Sequence, residues 1–320
     1  MALLEARVPI SPTPTFFART RLLAASLREF YPDTIVKAYI GQSGGATPAL
    51  MAMARNELPM NGPCRVDCIE WIDGPEFDIW MSTTSPYLAT MNRRFVPDAC
   101  ADVVAIFDAD VVCVGSFDDL FEVAAVQGVQ AHVPSLPNSV WESLFHQFGA
   151  PTQDFGFRYG GAGIMCPSDA TGPWYVNSGF VLAPRPLFER LCKPYQEAIG
   201  FLRERYSDTY WFDQWALALA AAKAEVPIRS LSPRYNFPNQ HGFDVAYPDD
   251  LTDVRFLHYL RLDTVHRDRD FASWDAACQF VRRCDLSGSN EVLRQSTKKL
   301  MAIVWPEQAA NAETVAPRHA

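Results

Sequence analysis

No stretch of the 320-residue chain approaches the ~20 consecutive apolar residues that a membrane helix requires, so no transmembrane anchor is expected. The opening Met-Ala-Leu-Leu-Glu-Ala-Arg puts an acid inside any would-be signal core, and the expectation is a soluble, unprocessed, cytoplasmic protein. Basic residues are scarce: 28 Lys plus Arg face 37 Asp plus Glu, a formal charge of -9. Such a chain lacks the positive field that neutralises a phosphate backbone, which argues against nucleic acid as the main partner. Eight cysteines are present, but no Cys-x-x-Cys pair and no Asn-x-Ser/Thr sequon occurs. A zinc knuckle and a disulfide framework are therefore both poor readings, and several of the thiols sit in apolar runs where they act as small hydrophobes. With 48% hydrophobic and 20% charged residues, the chain can bury a full core, which excludes disorder.

What is there alternates extended apolar runs with helical spacings, the pattern of an α/β layer fold. Strands are predicted at Arg7 to Ile10, Thr34 to Ile40, Arg65 to Ile72, Asp102 to Phe107, Val111 to Val114, Gln130 to Val133, Tyr175 to Ala183 and Val254 to Leu257. Helices are predicted at Phe16 to Phe30, Thr47 to Leu58, Pro86 to Phe95, Phe117 to Ala125, Leu187 to Arg205, Asp208 to Ala224, Phe271 to Arg283 and Glu291 to Trp305. Residues 134–173 are rich in Gly, Pro and aromatics and read as a loop-rich insertion, the kind of segment that forms binding loops or lids. The expected organisation is a catalytic domain over residues 1–265, a helical extension over 266–305 and a disordered tail over 306–320.

The run Val103-Val104-Ala105-Ile106-Phe107 has the composition of a strand buried on both faces of a mainly parallel sheet, and it should be central. Asp108-Ala109-Asp110 follows it directly. Two carboxylates leaving a core at one point need water, donors or a cation, and residues two apart in extended chain project to one side. In open α/β sheets, ligands bind outside the carboxyl ends of the strands, where this pair falls. The plainer alternative is two acids capping a turn. The late strand Val254-Arg255-Phe256-Leu257 ends in His258, and an imidazole beside two carboxylates suits Mn²⁺ better than an all-oxygen Mg²⁺ cage, although a lone strand-end histidine is also common as a hydrogen-bonding group. Asn177-Ser178-Gly179 is a polar break in an apolar run, either a site of close ligand approach or a bulge. Asp213-Gln214 lies among Tyr210, Trp211, Phe212 and Trp215, company typical of a sugar site, though a carboxylate early in a helix also gains from the helix dipole alone.

Taken in order, Val103 to Val111 with its Asp-x-Asp, Asn177-Ser178-Gly179-Phe180, Asp213-Gln214 and His258 resemble the motifs of GT-A-fold glycosyltransferases, most of all the family-eight-type, retaining, metal-dependent enzymes. The likeness spans roughly residues 5 to 262. It implies a Rossmann-like, mixed but mainly parallel sheet flanked by helices, a loop-rich acceptor side, and transfer of a sugar from a nucleoside diphosphate sugar, with UDP expected, to a carbohydrate, lipid-linked or protein acceptor. Carried over by position, Asp108, Asp110 and His258 would hold Mn²⁺ or Mg²⁺, with Asp108 and Asp110 also touching the nucleotide sugar. Asn177, Asp213 and Gln214 would face the reacting sugars, and Ile10, Ser11 and Thr13 would lie against the base and ribose. Arg94, or its neighbour Arg93, would stand near the donor. The pattern departs after His258: a Gly and a Lys-Pro-Trp-like segment usually follow, whereas this chain reads Tyr259-Leu260-Arg261-Leu262-Asp263, leaving Arg261 as the candidate to grip the diphosphate.

Three other readings stand beside this one. Gly41-Gln42-Ser43-Gly44-Gly45 satisfies Gly-x-Ser-x-Gly between a strand and a helix, but only one clear strand precedes it and no His-Gly-Gly oxyanion segment lies upstream, so a serine hydrolase using Ser43 ranks low. A non-catalytic sugar- or nucleotide-binding protein of the same fold predicts donor binding without turnover. Finally, the helix from Glu291 sets Arg294, Lys298 and Lys299 near Leu293, Leu300, Met301, Val304 and Trp305. That pattern fits peripheral contact with an anionic membrane, and more simply packing on its own domain.

Overall fold

The computed structural model describes residues 2–41, 47–72, 95–206, 211–260, 262 and 264–309. Its first unit is a strand, β1 (Leu4–Ile10), leading to a helix, α1 (Pro14–Phe30), and back to β2 (Ile35–Gly41). The start of α1 is set by Thr13, whose hydroxyl accepts from the Phe16 N–H, and by Pro14, whose fixed φ suits the first helical turn. The same Thr-Pro device opens α2 (Pro48–Glu57), which leads to β3 (Cys68–Ile72). Then come β4 (Val103–Phe107), β5 (Val111–Cys113), β6 (Val126–Gln130), α3 (Asn138–Phe148), β7 (Phe157–Arg158), β8 (Thr171–Gly172) and β9 (Val176–Pro184). The remainder comprises α4 (Arg185–Arg203), α5 (Phe212–Lys223), β10 (Ile228–Leu231), β11 (Phe237–Pro238), α6 (His241–Ala246), α7 (Pro248–Thr252), β12 (Phe256–His258), α8 (Arg267–Asp270), α9 (Trp274–Val281) and α10 (Gly288–Val304).

Among the described residues, seven strands form one sheet in the order β10-β6-β9-β4-β1-β2-β3. Every neighbouring pair is parallel except those made by β9, which runs antiparallel to both β4 and β6. The result is the mixed, mainly parallel sheet flanked by helices that the resemblance implies. β4 is central and fully buried, and its alternation shows directly: Val104 and Ile106 enter the apolar cluster on one face, Val103, Ala105 and Phe107 that on the other. From β1 the chain first adds strands on one side, then crosses to β4 on the other, so the β1/β4 boundary is the switch point where a crevice opens at the strand ends. A second, three-stranded sheet, β11-β12-β5, stands over that crevice.

Some expectations change. The strand predicted at 130–133 lies earlier, at Val126–Gln130, because two buried glutamines break its apolar pattern; their side-chain amides donate to Leu120 and Pro173 carbonyls at 2.8 and 2.7 Å. The helix predicted over 117–125 is a single 3-10 turn, Asp118–Leu120. Within 134–173, α3 is a true amphipathic helix that buries Trp141, Leu144 and Phe145 and stops at Gly149, whose φ of 67° needs no Cβ. The half-exposed edge strand β10 carries no apolar run and was not readable. The helix predicted at 86–95 lies, but for Phe95, outside the described residues, as does Ser43.

A third apolar cluster joins one side of α1 to β12, α9 and α10. Leu293, Leu300, Met301 and Val304 of α10 are buried there, while Arg294 pairs with Glu291 and Lys299 with Glu29. The apolar stripe of α10 thus belongs to the chain's own core. Among the described residues, no helix is long and apolar enough to cross a membrane.

β1 also carries a charge cluster inside the fold. Glu5 and Arg7, both fully buried, pair at 2.6 Å, and Lys37 and Asp98 extend the group. The Arg7 guanidinium lies 4.5 Å from the Phe188 ring centroid. Removing the Glu5 carboxylate leaves the fully buried Arg7 guanidinium without its nearest buried counter-charge, which costs about 3–5 kcal/mol. Glu5→Ala is therefore expected to destabilise the protein by that amount in chemical denaturation, and a change under about 1 kcal/mol would show the cluster to be dispensable.

Candidate active site

The chain leaves β4 at Asp108, whose N–H donates to the Gly179 carbonyl of β9 at 3.2 Å. It turns through Asp110 and re-enters extended structure as β5. β12 pairs antiparallel with β5 so that His258 stands opposite Val111, and the Tyr259 N–H donates to the Asp110 carbonyl at 2.9 Å. This pairing delivers the histidine to the carboxylates. His258 Nε2 lies 3.8 Å from Asp108 Oδ2 and 3.6 Å from Asp110 Oδ1, and one potential ligand atom from each of the three residues falls within 4.8 Å of the others. Asp110 and His258 are buried and Asp108 is partly open.

Gly179 explains the glycine in Asn177-Ser178-Gly179. A Cβ there would lie 2.6 Å from His258 Nδ1 and 2.8 Å from Asn177 Oδ1, so the imidazole packs on bare backbone. Asn177 Oδ1 accepts from the Gly179 N–H at 2.8 Å and from Asn236 Nδ2 at 2.9 Å. Asn177 and Gln214 line a cavity of about 160 Å³ together with His132, Ser135, Tyr175 and Trp211. Asp213 and Gln214 are buried in the first turn of α5, and Gln214 Oε1 has no hydrogen-bond partner among the described residues. A buried amide oxygen left in this state is an acceptor waiting for a donor such as a ligand hydroxyl. Ser11, at the end of β1 next to buried Ile10, has a hydroxyl in the same condition, whereas Thr13 is used as the α1 cap.

Two arginines that sequence reasoning passed over also meet at the acids. Arg267, at the start of α8, forms an ion pair with Asp110 Oδ2. Arg19, buried on α1, pairs with Asp268 at 3.3 Å and lies close enough to Asp110 to favour its charge. Burial works against an ionised Asp110, but Arg267 and then His258 hold its carboxyl well below the usual carboxylate range. The available signal was an arginine within a helix buried nearly all round, and the Arg267-Asp268-Arg269-Asp270 run after His258. Arg93, Arg94 and Arg261, the cations expected from the sequence, lie outside the described residues.

Two carboxylates and an imidazole are a donor set that can hold a divalent ion; cis ligands at about 2.1 Å from a metal stand about 3 Å apart, so the three groups, now within 4.8 Å of one another, would draw closer around one. Fold and site together define a mixed α/β protein with an acid-acid-histidine cluster at the switch point of its sheet and a small cavity lined by Asn177 and Gln214 near it. The chain is similar to a galactosyltransferase, LgtC, solved with donor and acceptor sugar analogues, at 16% identity over 93% of this chain and 96% of that one, with a TM-score of 0.48. It is similar to an active-site mutant of LgtC at 17% identity over the same shares, also with a TM-score of 0.48. No family model and no curated protein matches the chain.

Two outcomes are expected. Gly179→Ala pushes the His258 ring off its seat, costing about 1–3 kcal/mol in chemical denaturation; a fully stable variant would contradict the packing. His132, its ring 4.6 Å from that of Phe243, is held neutral by burial and then by His258, its pKa lowered from 6.5 to about 4. Because the unfolded chain takes up a proton on this residue at higher pH than the folded one, its contribution is complete above about 6.5 and is lost as pH falls toward 4. His132→Gln should therefore flatten the stability profile between pH 6.5 and 4, and an unchanged slope would place the effect elsewhere.

Proposed function

We propose that this chain is a metal-dependent glycosyltransferase of the GT-A type, moving a sugar from a nucleoside diphosphate sugar, with UDP as the expected nucleotide, to a carbohydrate, lipid-linked or protein acceptor. The observation that carries the proposal is the convergence of Asp108, Asp110 and His258 beside a cavity that holds Asn177 and Gln214. The reading is supported by the approach of Asp108, Asp110 and His258 to one another and by the shared cavity of Asn177 and Gln214. Retention of configuration rests on the resemblance of the motifs alone. We propose residues 1–265 as the catalytic domain and 266–305 as its helical extension, with Arg267 of the extension reaching the site.

Asp108, Asp110 and His258 would hold the divalent ion, Mn²⁺ ahead of Mg²⁺. When bound, the ion supplies Lewis-acid stabilisation of the charge that builds on the departing diphosphate. The chain's own residues do the rest. Ser11, just past the end of β1, would offer its hydroxyl to the nucleoside, with the buried Ile10 side chain backing it from the core. The Gln214 amide oxygen accepts from a sugar hydroxyl, and the Asn177 amide borders the reacting sugar. Asp213, close enough to disfavour ionisation of Tyr175, adds negative potential where an oxocarbenium-like sugar develops positive charge.

Mn²⁺-dependent hydrolysis of UDP-glucose or UDP-galactose tests this reading without a known acceptor. Asp110→Asn should lower the rate about 100-fold or more, and an unchanged rate would refute the metal assignment. Thermal shifts with UDP-, GDP- and CDP-sugars, with and without Mn²⁺, identify the donor class, because a ligand of the folded state raises Tm. Donor binding without turnover of any kind would favour the non-catalytic binder.

A further inference from the structure

The Asp108/Asp110 pair does not face its crevice as two bare charges. Asp110 divides its oxygens: Oδ1 is turned toward His258, while Oδ2 is held by Arg267. Behind this pair, Asp268 lies 3.9 Å from Arg267 Nε and 3.3 Å from Arg19 Nη1, so acids and guanidiniums alternate away from the metal position. Counting these five ionised side chains gives three carboxylates against two guanidiniums, a net charge of -1. An incoming divalent cation therefore meets a site whose negative charge is already largely balanced, with a fixed positive group on the far oxygen of one ligand.

We infer that Arg267 makes metal binding at this site conditional on the nucleotide: it orients Asp110 for coordination, but its charge keeps affinity for the free ion low until a diphosphate supplies the missing negative charge. The physical reason is short-range and partly shielded from water. A guanidinium on the second oxygen of a ligand carboxylate repels a divalent ion a few ångströms away, and in a partly buried site that repulsion is not screened out by salt. A diphosphate brings at least two negative charges, which attract the metal and Arg267 alike, so ion and nucleotide bind with positive coupling. Without Arg267, Asp108 and Asp110 would attract the ion more strongly by themselves, and coupling to the nucleotide would shrink. Arg267 acts here as a positioning residue. The inference rests on the metal-dependent reading of the site, and the test separates the two.

The experiment is a Mn²⁺ titration of the full chain followed by electron paramagnetic resonance, with and without UDP, for the wild type, Arg267→Gln and Arg267→Lys. In the wild type, UDP should tighten Mn²⁺ binding strongly. Arg267→Gln should bind Mn²⁺ alone about tenfold or more tighter than wild type and lose a matching part of the UDP enhancement. Arg267→Lys, which keeps the charge, should behave like wild type. A purely structural role for Arg267 predicts the opposite for the Gln variant, weaker Mn²⁺ binding through a misplaced Asp110, and that result overturns the inference. Mn²⁺ binding that is independent of UDP in the wild type overturns it too. Failure of all three proteins to bind Mn²⁺ under either condition overturns the metal-dependent reading itself.

Discussion

The site depends on one pairing, the three-residue antiparallel contact between β5 and β12. β5 begins one residue after Asp110, and β12 ends at His258, so a short ladder converts a large separation in sequence into a few ångströms in space. The ladder is anchored from behind: Phe107, Phe117, Phe180 and Phe256 form an aromatic knot, with ring centroids 4.5 Å apart for Phe180 and Phe256 and 4.8 Å for Phe117 and Phe256. Apolar burial therefore supplies the energy that holds three polar side chains together at the edge of the core. The polar groups need not attract one another, since packing places them where they stand.

β9 is the second device of the same kind. By running antiparallel between β4 and β6, it brings its own N-terminal residues to the carboxyl end of β4. An all-parallel sheet would put the start of that strand at the opposite edge. The reversal sets Asn177 and Gly179 beside Asp108, and the missing side chain of Gly179 makes room for His258. One antiparallel strand thus contributes both a polar group and a seat for a ligand residue.

Electrostatics inside this frame follow one habit. Around Glu5, and again around Asp110, a buried acid is balanced by two basic side chains, with one further acid in the first group and two in the second. The first group, among β1, β2 and the segment before β4, is buried at Glu5 and Arg7, reaches solvent chiefly through Asp98, and serves the fold. The second opens on a crevice, where the balance can be altered by whatever enters. The physical difference between the two lies less in their composition than in their access to solvent and to a ligand.

Much of this was legible from residue pattern. The continuous apolar run of β4, the Thr-Pro starts of α1 and α2, and Asp-x-Asp at a strand end are local features, and each reflects a local rule of burial, capping or desolvation. Asp108, Asp110, Asn177, Gln214 and His258 were readable for the same reason, because each interrupts an apolar segment at its edge. Arg19, Arg267 and His132 were not, because an arginine in a helix, an alternating charge run or a lone histidine just past a strand end has no local signature of direction. Which carboxylate a long guanidinium reaches depends on the docking of α1 and α8 against β5 and β12, and that is decided by packing among elements distant in the chain. From its sequence alone this protein has a central buried strand that ends in two acids. Their partners and the charge they face were decided only when the strands paired and the helices closed over them.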